Sequence, residues 1–248
     1  MAIVAPSLRT WRQLTVWLHV LTSVGWMSLA AVMAVSLAFS ATDPALRLGA
    51  LETAHHLDQS LLAPLAVGSA LTGIVLSSAT AYGFFHHWWV TIKFAITIVQ
   101  LYLGIFVLSN ALDAARTTPE QAPSATGLVL GPALMASAIA FQAWLSVAKP
   151  WGRTPGTRRR RPPTGPRWVF AAAVVAVPLD LTAGLVLGQP RPLAAVLVLI
   201  VVLVHRARVL RRPARSSSDA SSRPVRPRDA TTRHSMPEGT PQTGSSTS

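Results

Sequence analysis

The side chains able to do chemistry in this 248-residue chain are few, and several of them sit inside apolar runs. Wound at 100° per residue, Lys93, Thr97, Gln100 and Gly104 fall within about 60° of arc, one polar and small stripe on a helix. His19, Thr22, Ser23 and Trp26 form a related stripe, Gly131, Met135, Ala138 and Gln142 another, and Ser69, Gly73 and Ser77 a run of small residues that permits close helix contact. Such faces belong inside a bundle, because polar groups facing lipid are costly. The chemistry they offer is an imidazole that can ligate, an ammonium that can hold an anion, and amides and hydroxyls that orient both. Asp180 lies near the middle of a further apolar run, beside Pro178. There it requires a proton, a partner or a water-filled break in its helix.

Plainer roles compete with these. Lys93 is close enough to a helix end to snorkel, and His19 can serve simply as a hydrogen bond between helices. The pairs His55, His56 and His86, His87 read as loop residues on opposite sides of the membrane, and each pair supplies at most two nitrogens, short of a closed zinc site. With no cysteine there is no thiolate metal site, disulfide or cysteine nucleophile. No phosphate-cradling glycine loop, HExxH or nucleophile elbow is present, so no catalytic residue is assigned and hydrolysis has no visible machinery. Haem needs axial ligands on facing helices; His19 offers one, with His86, His87 or His205 as imperfect second candidates.

The elements that position these residues follow from composition. Half of the chain is hydrophobic, 12% is charged and the mean hydropathy is +0.41, which excludes an ordinary soluble globule. The pattern predicts an all-α, polytopic transmembrane helix bundle with a four-helix core and two additional C-terminal helices. The spans run from about Leu14 to Phe39, Ser60 to Ala81, Trp88 to Ser109, Gly127 to Ala148, Trp168 to Gly188 and Leu193 to Leu210. The first run is about twice a cleavable signal's apolar region and carries Trp17, His19 and Trp26, so it reads as a retained helix. Only Leu193 to Val204 of the last run is free of polar groups, so it crosses only if His205, Arg206 and Arg208 snorkel. Residues 1–154 hold the four-helix core, 155–167 a basic linker, 168–212 the two further helices and 213–248 a basic tail whose composition predicts disorder.

Charge sets the orientation. Of 22 Lys and Arg against 9 Asp and Glu, 18 bases fall before the first span, in residues 149–167 or in residues 205–248, and 3 (Arg47, Arg116, Arg191) fall on the other side; Lys93 is the remaining one. Both termini are therefore expected in the cytoplasm of a bacterial cell, with the protein in the inner membrane. In that topology His19, Lys93 and Gln142 lie roughly 8 to 10 Å in from the cytoplasmic ends of their helices, enough to share one layer. The run Arg158, Arg159, Arg160, Arg161 is suited to anionic lipid headgroups, at about 1 kcal/mol per base. Membrane lipids, and a second copy of the chain, are the expected partners. Nucleic acid is not expected.

Leu18, His19, Val20 with Gly25 and Trp26; Pro64 with Thr72 and Gly73; His87, Trp89 and Lys93; and Lys149, Pro150, Trp151, Gly152 together resemble a group of bacterial, largely actinobacterial, integral membrane proteins with a four-helix domain of unknown function. The likeness covers about residues 11 to 154. Related members often carry a histidine near the start of the fourth helix, where this chain has Gly131. A fainter likeness, in the placing of His19 and Lys93, is to copper-resistance D-type and membrane protoporphyrinogen-oxidase-type domains, and it implies redox or metal handling. The functional expectation is a haem- or metal-associated membrane protein, non-hydrolytic, with His19 as ligand and Lys93 stabilising an anionic group. Its rivals are a small solute or ion carrier using Asp180 and the Lys93 stripe, and a scaffold recruiting a partner through its basic tail.

Overall fold

The computed structural model describes residues 6–80, 86–117, 124–152, 154, 164–189 and 192–211. The described residues are helical, with no strand among them. The helices are α1 (Leu8–Thr42), α2 (Pro44–Leu57), α3 (Ala63–Ala79), α4 (Trp88–Leu103), α5 (Ser109–Thr117), α6 (Ala125–Ala148), α7 (Arg167–Leu187) and α8 (Leu193–Arg211). Two π-helical turns, Asp58–Leu62 and Gly104–Leu108, splice α2 into α3 and α4 into α5. Five helical stretches are long and apolar enough to cross a membrane: Leu8–Thr42, Pro44–Ala79, Trp88–Thr117, Ala125–Ala148 and Arg167–Leu187. The arginines at 158–161 and the tail at 213–248 lie outside the described residues.

Local chemistry sets the helix ends. Ser7 caps α1, its hydroxyl accepting the Thr10 N–H at 3.2 Å. Asp43 ends α1 and starts α2, its carboxylate accepting the Ala45 N–H at 2.9 Å with Pro44 in the first helical turn. The connection expected between the first two spans is therefore largely helix, and His55 and His56, read as loop residues, stand on α2. The polar composition of residues 44–57 hid this, because α2 buries only Leu51 and Ala54. The fourth span ends as Lys149 enters the left-handed region (φ 44), since Pro150 bars a further turn.

The bundle is built around α1, which packs on α3, α6 and α7, while α4 packs on α3 and α6. Trp26 and Ala30 meet Ala66, Met135 and Ile139 at the centre of the four-helix core. Met33 and Leu37 meet Leu51, Ala54, Leu112 and Ala115 toward the α2–α5 end. The fifth span shares the core: Phe170 and Ala173 are fully buried beside Leu18, Leu71 and Val75. Gly68 makes this approach possible, since a Cβ there would lie 2.9 Å from Val177 Cγ1. Residues up to Leu210 form one compact unit; of the second, Arg211–Ser248, all but the first residue lie outside the described set.

Candidate functional site

The polar stripes expected from the sequence occupy the interior of the four-helix core as two ladders. The first joins α1 to α3. His19 Nδ1 lies 3.1 Å from the Ser69 carbonyl oxygen and 3.0 Å from Thr72 Oγ1, and the Ser23 and Ser69 hydroxyls meet at 2.7 Å. Gly73 lets the imidazole rest on the backbone of α3: a Cβ at that position would lie 3.1 Å from His19 Cε1. Thr72 Oγ1 itself donates back along α3, at 2.7 Å to the Gly68 carbonyl.

This arrangement decides the tautomer of the neutral ring. Both neighbours of Nδ1 act as acceptors, the Ser69 carbonyl necessarily and Thr72 Oγ1 because its proton is already committed. Nδ1 therefore carries the hydrogen, and Nε2 keeps its lone pair. Among the described residues Nε2 receives no hydrogen bond. An imidazole held through Nδ1–H to a backbone carbonyl, with Nε2 open, is the orientation in which histidine serves as a ligand.

The second ladder joins α4 to α6. Lys93 Nζ donates to Ser146 Oγ at 2.5 Å, and Ser146 Oγ donates to the Gln142 carbonyl at 3.0 Å. Thr97 Oγ1 donates to Gln142 Oε1 at 2.9 Å, Gln142 Nε2 donates to Gln100 Oε1 at 2.5 Å, and Gln100 Nε2 donates to the Met135 carbonyl at 3.0 Å. Gln100 and Gln142 are buried, and Lys93 and Thr97 are half-buried. The Trp26 indole, 3% exposed, stands in the core between α3 and α6 with its Nε1–H buried and unpartnered.

Asp180 is placed apart from this layer. Its two carboxylate oxygens accept the Ala194 N–H at 3.0 Å and the Ala195 N–H at 2.7 Å, so it caps α8 from the side of α7. Of the open alternatives for this acid, the structure gives it partners. Trp168 and His205, at the other end of the same pair, meet edge to face with ring centroids 5.3 Å apart, so α7 and α8 run antiparallel.

Two of the three histidines considered as second haem ligands make ring contacts elsewhere, while His86 keeps its Nδ1 buried without a hydrogen bond. His205 packs on Trp168, and His87 caps the start of α4 with its ring 6.2 Å from Trp89. At Gly131, where the resemblance places a histidine, a Cβ would collide with Leu108 Cδ2. A two-histidine haem built through position 131 does not fit these residues. Among the described residues no three of His, Cys, Asp and Glu converge as metal ligands.

One polar site escaped the sequence reading. Asp58, just before the second apolar run, is 6% exposed and accepts the Ser109 hydroxyl at 2.7 Å. Its position at a helix boundary gave no sign of burial; only the docking of the α4–α5 splice against the α2–α3 splice creates it. Comparison with protein families, curated proteins and solved structures finds no match for this chain.

Proposed function

We propose that this multi-pass membrane protein holds a small redox or metal-centred cofactor in its four-helix core, with His19 Nε2 as the single protein ligand and Lys93 as counter-charge to an anionic substituent. The open Nε2 lone pair on a ring fixed by Ser69 and Thr72 carries this reading. It is supported by the half-buried Lys93 ammonium and by the orphaned Trp26 Nε1–H, which leave the core one cation and one donor for a guest. Haem is the guest to test first: its iron would take the imidazole, and a propionate would suit Lys93. The metal would supply ligand binding or electron transfer, while the chain's own groups orient the ring and exclude water.

The test is an absorption spectrum of protein purified in detergent from haem-replete cells. A Soret band is expected, lost in His19→Ala. Gly73→Ala, whose methyl group would press on the ring, is expected to shift or weaken the band while leaving the protein folded. No band in the wild type, or a band that survives His19→Ala, overturns the reading. The inner-membrane location with both termini in the cytoplasm belongs to the same proposal, as does anionic headgroup contact through Arg158–Arg161; both rest on the charge distribution.

A further inference from the structure

The two π-helical turns do not sit at random. Asp58 opens the first, Ser109 follows the second, and the 2.7 Å hydrogen bond from Ser109 Oγ to Asp58 Oδ2 ties the two splices together. π turns are rare in helices and recur at functional sites, because the inserted residue disturbs the ladder of backbone hydrogen bonds. Two of them meeting at a buried carboxylate is a built feature rather than a loose helix.

Among the described residues the carboxylate closes no ion pair. Asp58 receives Ser109 and, at 3.4 Å, the amide of Gln59, both neutral donors, and both reach Oδ2. The cation at this end, Arg116, is engaged by Glu52 at 3.3 Å and Asp113 at 2.9 Å. His55, one turn before Asp58, keeps its Nδ1 buried without a hydrogen bond. α1 and α7 also pack on this turn, but their described ionisable groups are Arg9, Arg12, His19, Arg167 and Asp180, the last committed to α8. A buried charge needs neutralisation; the His55 imidazole is close enough to offer part of it, but no described side chain closes an ion pair with the acid.

We propose that Asp58 is the binding site of one small monovalent cation, a proton or Na⁺, held where the two π turns meet. The site is separate from His19, and neither proposal needs the other. Occupancy neutralises the acid and locks the α2–α3 splice against the α4–α5 splice; loss of the cation leaves repulsion and desolvation at that contact.

The test uses the full chain in detergent or nanodiscs and reads thermal unfolding by tryptophan fluorescence, with Na⁺ exchanged for choline and with pH varied in the absence of Na⁺. Stability rising with Na⁺ at fixed pH identifies Na⁺; stability rising as pH falls, without Na⁺, identifies the proton. Either dependence is expected to vanish in Asp58→Asn and to survive in Asp180→Asn. Ser109→Ala, which removes a donor that favours the bare carboxylate, is expected to move the midpoint about tenfold toward lower cation concentration, the scale of one hydrogen bond to a charged group. If Asp58→Asn does not fold, the Ser109→Ala shift still decides. A wild type indifferent to both ions, a dependence unchanged in Asp58→Asn, or no shift in Ser109→Ala overturns the proposal.

Discussion

Gln142 engages two side chains of α4 with the two ends of one amide, taking the Thr97 hydroxyl on its oxygen and giving its nitrogen to Gln100. That division makes the pair a sensitive probe of the α4–α6 contact. In a double-mutant cycle with Gln100→Leu and Gln142→Leu, we expect a coupling of about 0.6 kcal/mol and no more than about 1.7, the average and the maximum found for hydrogen bonds between helices in a membrane protein. Unfolding in detergent measures it, and a coupling near zero would mean that the amides do not act together. Part of this ladder was legible in the sequence, because Lys93, Thr97 and Gln100 recur at helical spacing on one run, Gln142 interrupts another, and polar residues in lipid turn inward; Ser146, which takes the Lys93 ammonium, was not singled out. The tautomer of His19 was not legible. It depends on the Ser69 carbonyl, a backbone atom that no residue type announces. Asp58 was equally hidden, since its burial comes from Ser109, 51 positions away in the chain.

The element whose role departs furthest from expectation is α8. Its first free N–H groups end on Asp180, seven residues before the end of α7, so α8 begins about 10 Å below that end at 1.5 Å per residue. From Ala194 to His205, which faces Trp168 near the start of α7, it covers only about 17 Å, well short of the roughly 30 Å of hydrocarbon. The short apolar run Leu193 to Val204 had already made a full crossing conditional on snorkelling; what the sequence did not show is the depth, which one side chain sets. Asp180→Ala leaves two amides without acceptors in an apolar setting. We expect a loss of about 2 kcal/mol or more, with faster hydrogen exchange at Ala194 and Ala195 and unchanged protection in α4 and α6. Asp180→Asn, which keeps one acceptor oxygen, is expected to lose about half as much. Equal exchange in all three proteins would contradict the capping role.

At the scale of the molecule, the described helices divide into an apolar barrel and a polar end. The 35 residues of α1 span about 52 Å, some 20 Å more than the hydrocarbon layer requires. Glu52, Asp113 and Arg116 gather on α2 and α5, at the end where α1 finishes. Wide apolar faces remain open elsewhere, among them Val99 and Tyr102 on α4, Phe106 on the π turn after it, and Leu134 and Trp144 on α6, as expected of surfaces wetted by lipid. The charge distribution predicts that reporter fusions at residue 160 and at the carboxyl terminus give the same, cytoplasmic, signal. Opposite signals would refute the orientation, and release of the chain by alkaline carbonate would refute its integration.

The bond between Asp180 and the start of α8 also bears on biosynthesis. A nascent chain that has delivered α7 to the bilayer but not yet α8 exposes a carboxylate in grease, and a nascent α8 alone exposes bare amides there. Neither half is content without the other. We therefore expect the two to be inserted together as a hairpin, and a chain halted before Pro192 to stall at the insertion step instead of folding as a shorter bundle, which carbonate extraction of the truncated chain would read.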